Sequence, residues 1–145
     1  MSKDIVCVSA ETAMPMSLIL SSYQNVCKNL TERLKTKLTT RNPYLLIFIN
    51  EAIYQVEFCN IKRGLLELHT KNMSKNVTRA LRANSNQMLD TVRHLESLFQ
   101  PLEHDWVTIP RDIETQCRFA CDMLFLIGAD MYLLGEVAML SSTPR

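Results

Sequence analysis

Apolar residues return every third or fourth position along most of this chain, the period of an α-helix that turns one stripe towards a core. Between about Ala13 and Thr39 they fall at Met16, Leu20, Tyr23, Cys27, Leu30, Leu34 and Leu38, with Ser17, Gln24, Lys28, Arg33 and Lys35 on the other side. Pro15 suits the first turn of such a helix, where an amide donor is not needed. A second helix is expected over 43–63. Asn42 and Pro43 make a cap and first turn, and Lys62, Arg63 and Gly64 make the opposite signal at its end. Tyr44–Ile49 alone would suit a buried strand, but the length of the whole run favours helix. Leu65, Leu66 and Leu68 either carry that helix past Gly64 or form a short connecting piece.

A third helix is expected over about 72–100, with Met73, Val77, Leu81, Met88, Leu89, Val92, Leu95 and Phe99 on its stripe and Pro101 as its stop. Its middle, Arg82–Gln87, is polar and rich in poor helix formers, so fraying or a bend is expected there. The fourth runs over about 110–140, with Asp112 and Glu114 in the turn where the helix dipole favours acids. Ile113, Cys117, Ala120, Leu124, Ile127, Met131, Leu134 and Ala138 form one stripe; Phe119, Met123, Leu126, Leu133 and Val137 form a second. Four such helices with short connectors predict an all-α, four-helix up-and-down bundle occupying 1–145 as one domain, with 1–10 and 141–145 as loosely held tails. No internal repeat, heptad array or low-complexity tract is evident.

Composition changes this picture little. The formal charge of +1 gives no overall bias towards nucleic acid or anionic membranes, but its distribution is uneven. Lys28–Arg82 holds eleven basic residues against four acidic, and Ala83–Arg145 holds four against nine. Five cysteines at positions 7, 27, 59, 117 and 121 fit reduced, buried thiols better than a disulfide framework. The first fifteen residues lack a continuous apolar run, so an intracellular, cytoplasmic or nuclear location is expected and the three N-x-S/T triplets carry no weight.

Catalytic chemistry finds no support. His69, His94 and His104 make no H-x-x-x-H or E-x-x-H pair, and Cys117 with Cys121 lacks the second pair that a zinc site needs. There is no phosphate-binding glycine loop and no nucleophile elbow. No enzyme activity, metal or cofactor is therefore expected. Lys71, Lys75, Arg79 and Arg82 lie at spacings of four, four and three, a stripe able to grip the phosphates of nucleic acid or lipid. Without interleaved aromatics, a solvated helix face is the simpler reading of it. Trp106 either plugs one end of the bundle or anchors a partner.

The most apolar run, residues 121–140, approaches membrane-spanning length. Asp130 at its centre would cost about 2.5–3.5 kcal/mol to insert, and basic flanks are sparse. A bundle helix needs only about a third of its surface apolar, so the second stripe is surplus. Gly128 and Gly135, seven apart, would let another helix approach the same face. The expected function is an adaptor or assembly module that binds protein through Phe119, Met123, Leu126, Gly128, Leu133, Gly135 and Val137. A homodimer is the economical partner, and a helix from another protein the competing one. The alternative is nucleic-acid or anionic-lipid binding through Lys71, Lys75, Arg79 and Arg82.

Overall fold

The computed structural model describes residues 16–68, 75–104 and 108–142, with side chains through Val137. Four helices account for most of them: α1 (Met16–Thr36), α2 (Pro43–Leu66), α3 (Lys75–Phe99) and α4 (Arg111–Ser142). Single 3-10 turns at Lys37–Thr39 and Gln100–Leu102 extend α1 and α3. The fold is the four-helix bundle that the apolar spacing predicts.

Local chemistry sets most of the ends. Asn42 is in extended conformation and its side-chain oxygen accepts from the Tyr44 amide at 3.0 Å, so it caps α2 with Pro43 in the first turn. Pro110 precedes α4, whose first turn carries Asp112 and Glu114. One expectation is corrected and one open alternative is decided. Arg82–Gln87 neither frays nor bends out of helix, because Leu81, Asn84 and Met88 are buried there and packing overrides weak propensity. Gly64 does not end α2; the helix continues to Leu66, a fully buried residue whose packing holds the last turn in place. No glycine takes a positive φ among the described residues, and a Cβ added at Gly64 would meet nothing within 4 Å. Gly64→Ala is therefore expected to stabilise the fold by about 0.5–1 kcal/mol through helix propensity, read as a higher urea midpoint. A lower midpoint would mean that the chain turns at this position. At the far end α4 runs on to Ser142, past the expected tail boundary at 140.

Directions alternate along the chain, but neighbours in space are not always neighbours in sequence. Tyr23 bonds to Asn84, Cys27 lies 4.0 Å from Met88, and Arg33 pairs with Glu96, so α1 and α3 run side by side and parallel. Cys121 reaches the Phe48 carbonyl, Gly128 lies against Phe58 and Cys59, and Lys62 covers the Tyr132 ring, so α2 and α4 are also parallel. Each of α1 and α4 packs against both α2 and α3, whereas α2 and α3 barely touch. The order around the bundle is α1, α2, α4, α3. It can be seen as two parallel pairs, α1/α3 and α2/α4, packed face to face with the core between them.

That core is continuous and includes Leu20, Tyr23, Leu34, Ile49, Val56, Met88, Leu95, Phe99, Leu124 and Met131, all nearly or fully buried. At the ends of α1 and α3, the backbone amide of Arg41 donates to the Glu103 carbonyl at 3.0 Å. The Thr40 hydroxyl donates to the same oxygen at 2.6 Å, and Lys37 pairs with the Glu103 carboxylate at 2.7 Å. One polar chain crosses the interior. The Tyr23 hydroxyl donates to Asn84 Oδ1 at 2.6 Å, and Asn84 Nδ2 donates to the Ile127 carbonyl at 2.9 Å. Asn84 thereby joins α1, α3 and α4. Among the described residues no buried side-chain nitrogen or oxygen lacks a partner.

Candidate functional site: an apolar face on two parallel helices

The outer surfaces of the two pairs differ in kind. Among the described residues fourteen large apolar side chains are exposed, and twelve belong to α2, its exit at Leu68, or α4. The other two are Leu18 and Leu38. Outward positions of α1 and α3 are instead Ser17, Asn25, Lys28, Glu32, Asn86, Asp90 and Arg93, as expected of solvated faces. The site follows from this difference.

On α4 the structure places Phe119, Leu126, Leu133 and Val137 on the surface, between 48% and 68% exposed, as the second stripe requires. Three of the other expected partner residues lie elsewhere. Met123 is half-buried and packs on the core from the α3 side. Gly128 is buried against α2, where an added Cβ would lie 3.6 Å from both Cys59 Sγ and Phe58 Cδ1. Gly135 is half-buried with open space around it. Seven-residue spacing does put the glycines on one stripe, but that stripe turns towards the bundle and not away from it. Trp106 and Lys71 lie outside the described residues.

The larger part of the face was not expected. Tyr44, Ile47, Tyr54, Ile61 and Leu65 of α2 are 45–64% exposed, with Phe58 half-buried among them. At about 100° per residue, Ile47, Tyr54, Ile61 and Leu65 fall within an arc of about 40° that points away from the core. The sequence signal is there to be read. Positions 44, 47, 51, 54, 58, 61, 65 and 68 step by three and four, and Glu51 is the only one that is not apolar. It is hidden because α2 has a second apolar stripe, Leu45, Ile49, Ala52, Val56 and Cys59, which is the buried one.

Because α2 and α4 are parallel neighbours, the α2 face meets the Tyr132 edge of α4, while Leu133 and Val137 also border a groove against Ala80, Ala83 and Gln87 of α3. Aromatic rings concentrate on the α2/α4 side: Tyr44, Tyr54, Phe58, Phe119, Phe125 and Tyr132, against Tyr23, Phe48 and Phe99 in the core. Lys62 bridges the seam between the helices, with its ammonium 4.6 Å from the Phe58 ring centre and 4.7 Å from that of Tyr132. Arg118 lies over the Phe48 ring and bonds to Glu114 at 2.9 Å. The Tyr132 hydroxyl is held by Glu136, which raises its pKa. Among the described residues, Asp122 and Asp130 have no ion-pair partner, and both are exposed.

The described cysteines do not form a reactive centre. Burial pushes the Cys27 thiol up to about 12, with the neighbouring Cys59 adding to the rise, and burial pushes Cys59 up to about 11. Both are held as neutral thiols in the fold, whereas thiols of the unfolded chain ionise near pH 8.5. The unfolded chain therefore loses protons first, and stability contributed by these groups falls as pH rises from about 9 towards 11–12. A urea midpoint that drops between about pH 8 and pH 10.5, with Cys27 and Cys59 unreactive to disulfide reagents until unfolding, is the expected result. Rapid labelling of either thiol in the folded chain would contradict it. No three His, Cys, Asp or Glu side chains among the described residues are grouped as metal ligands.

Of the basic stripe, Lys75 and Arg79 are exposed and Arg82 is half-buried, together on the outer side of α3. No described helix is long and apolar enough to cross a membrane. Comparison with protein-family models, curated proteins and solved structures found no match.

Proposed function

We propose that the protein is an association module, an adaptor or assembly subunit, that binds another protein chain through the joint outer face of α2 and α4. The observation that carries this reading is the one-sided exposure, among the described residues, of twelve large apolar side chains on a bundle whose core is already filled. Aromatic enrichment on the same side fits a protein interface, where Tyr and Phe are over-represented and charge is depleted at the centre. The face is wider than α4 alone could offer, and Lys62 joins Phe58 of α2 to Tyr132 of α4 across the seam. Cross-linking and affinity capture from the native host, with Leu126→Asp and Leu133→Asp as controls, test it. Partners, including a second copy, that are lost with both variants support the reading. A chain that stays monomeric at high concentration and captures nothing would overturn it.

Phosphate binding by Lys75, Arg79 and Arg82 is the second reading. It is favoured by the charge of the α1/α3 pair, seven basic residues against three acidic within the two helices. Nucleic-acid binding that weakens steeply with salt and vanishes on reversing Lys75 and Arg79 would establish it; salt-independent or absent binding would remove it.

A further inference from the structure

The helices of the apolar face carry an excess of acid, and three of their four cations are already engaged. Within α2 and α4 there are seven acidic residues against four basic. Of those four, Arg63 is buried with Asn60 and Glu67, Lys62 is held between two rings, and Arg118 is bonded to Glu114. Glu51, Asp122 and Glu136 on these two helices form no described ion pair. A second copy laid face to face would bring acid against acid, and its Lys62 and Arg118 would have to leave their present partners. Like charges across an interface suppress the wrong partner, and opposite charges select the right one.

Resting on the reading of α2/α4 as an interface, we infer that its occupant is an amphipathic helix of another protein, with an apolar stripe flanked by lysine or arginine, lying along the seam between the two helices. At 1.5 Å per residue, the paired stretch of α2 and α4 accommodates a partner helix of about 20 residues. Its apolar residues would cover Tyr54, Phe58, Phe125 and Tyr132. Its cations would reach Glu51 on the α2 side and Asp122 and Glu136 on the α4 side.

The test uses the full chain and two fluorescent model peptides of about 20 residues, sharing one leucine stripe, with lysine flanks in one and glutamate flanks in the other. Anisotropy titration is expected to show the lysine peptide binding about tenfold or more tightly than the glutamate peptide, an advantage that shrinks with salt. Asp122→Lys combined with Glu136→Lys should reverse that order. Both positions are away from the core, so circular dichroism should show an unchanged fold. Equal binding of the two peptides would overturn the inference and leave the apolar interface standing. So would a chain that binds neither peptide but self-associates through a contact sensitive to Leu133→Asp. A chain that binds neither peptide, does not self-associate and captures no host protein would overturn the interface as well.

Discussion

Ile61→Asp together with Leu133→Asp is expected to abolish association while leaving the bundle as stable as before. In the free chain these side chains are 62% and 57% exposed, so an acid at either position meets water and not the core. Surface substitutions of this kind usually change folding stability by less than about 0.5 kcal/mol. In a complex both positions would be covered, and burying a carboxylate without a partner is costly. A loss of about 2 kcal/mol at each, the usual threshold for an interface hot spot, weakens binding about 1,000-fold for the pair. Leu18→Asp is the matched control, because Leu18 is equally exposed but lies on α1. Sedimentation of the complex and urea unfolding of the free chain should therefore separate cleanly. Equal loss of association in Leu18→Asp would show that the two-helix face has no special role.

The second large effect is expected in the interior. Asn84 is 4% exposed and satisfies the Tyr23 hydroxyl and the Ile127 carbonyl at once, so it ties three helices through hydrogen bonds that water cannot replace. Tyr23→Phe leaves Asn84 Oδ1 without its donor and should cost about 1–3 kcal/mol. Asn84→Leu leaves the buried Tyr23 hydroxyl only the weakly bonding Cys59 thiol and crowds the α3/α4 contact, with an expected cost of about 3 kcal/mol. Once the hydroxyl is gone its desolvation cost is gone too. The double variant should therefore be more stable than the sum of the singles by about 1–2 kcal/mol. Strictly additive losses in a urea-unfolding cycle would show that the two groups do not act as a unit.

The helices themselves were legible because their causes are local. Asn42 and Pro43 announce the start of α2, and Pro110 with Asp112 and Glu114 announces that of α4. At Gly64 the sequence left two courses open, because a terminal signal of Lys, Arg and Gly is local, whereas the burial of Leu66 that carries the helix onward is tertiary. The exposed stripe of α4 was likewise legible, since Phe119, Leu126, Leu133 and Val137 exceed what one bundle contact can cover. Met123 and Gly128 were not separable from that stripe by spacing. Which side of an apolar helix faces outward depends on where its neighbours sit.

The same reason explains the larger omission. In α2 apolar residues surround much of the helix, and two stripes of equal quality, one through Ile49 and Val56 and one through Ile47, Tyr54 and Ile61, compete for the interior. Sequence by itself determined four helices, their approximate limits, their amphipathic character and the surplus of apolar surface on the last. Tertiary structure alone decided that α1 lies beside α3 and α2 beside α4, that Leu45, Ile49 and Cys59 win the core, and that Phe58 and Tyr132 meet at Lys62 across the α2/α4 seam. Helix formation is governed by contacts three and four residues apart, but the choice of buried side is made by packing against residues some sixty or seventy positions away.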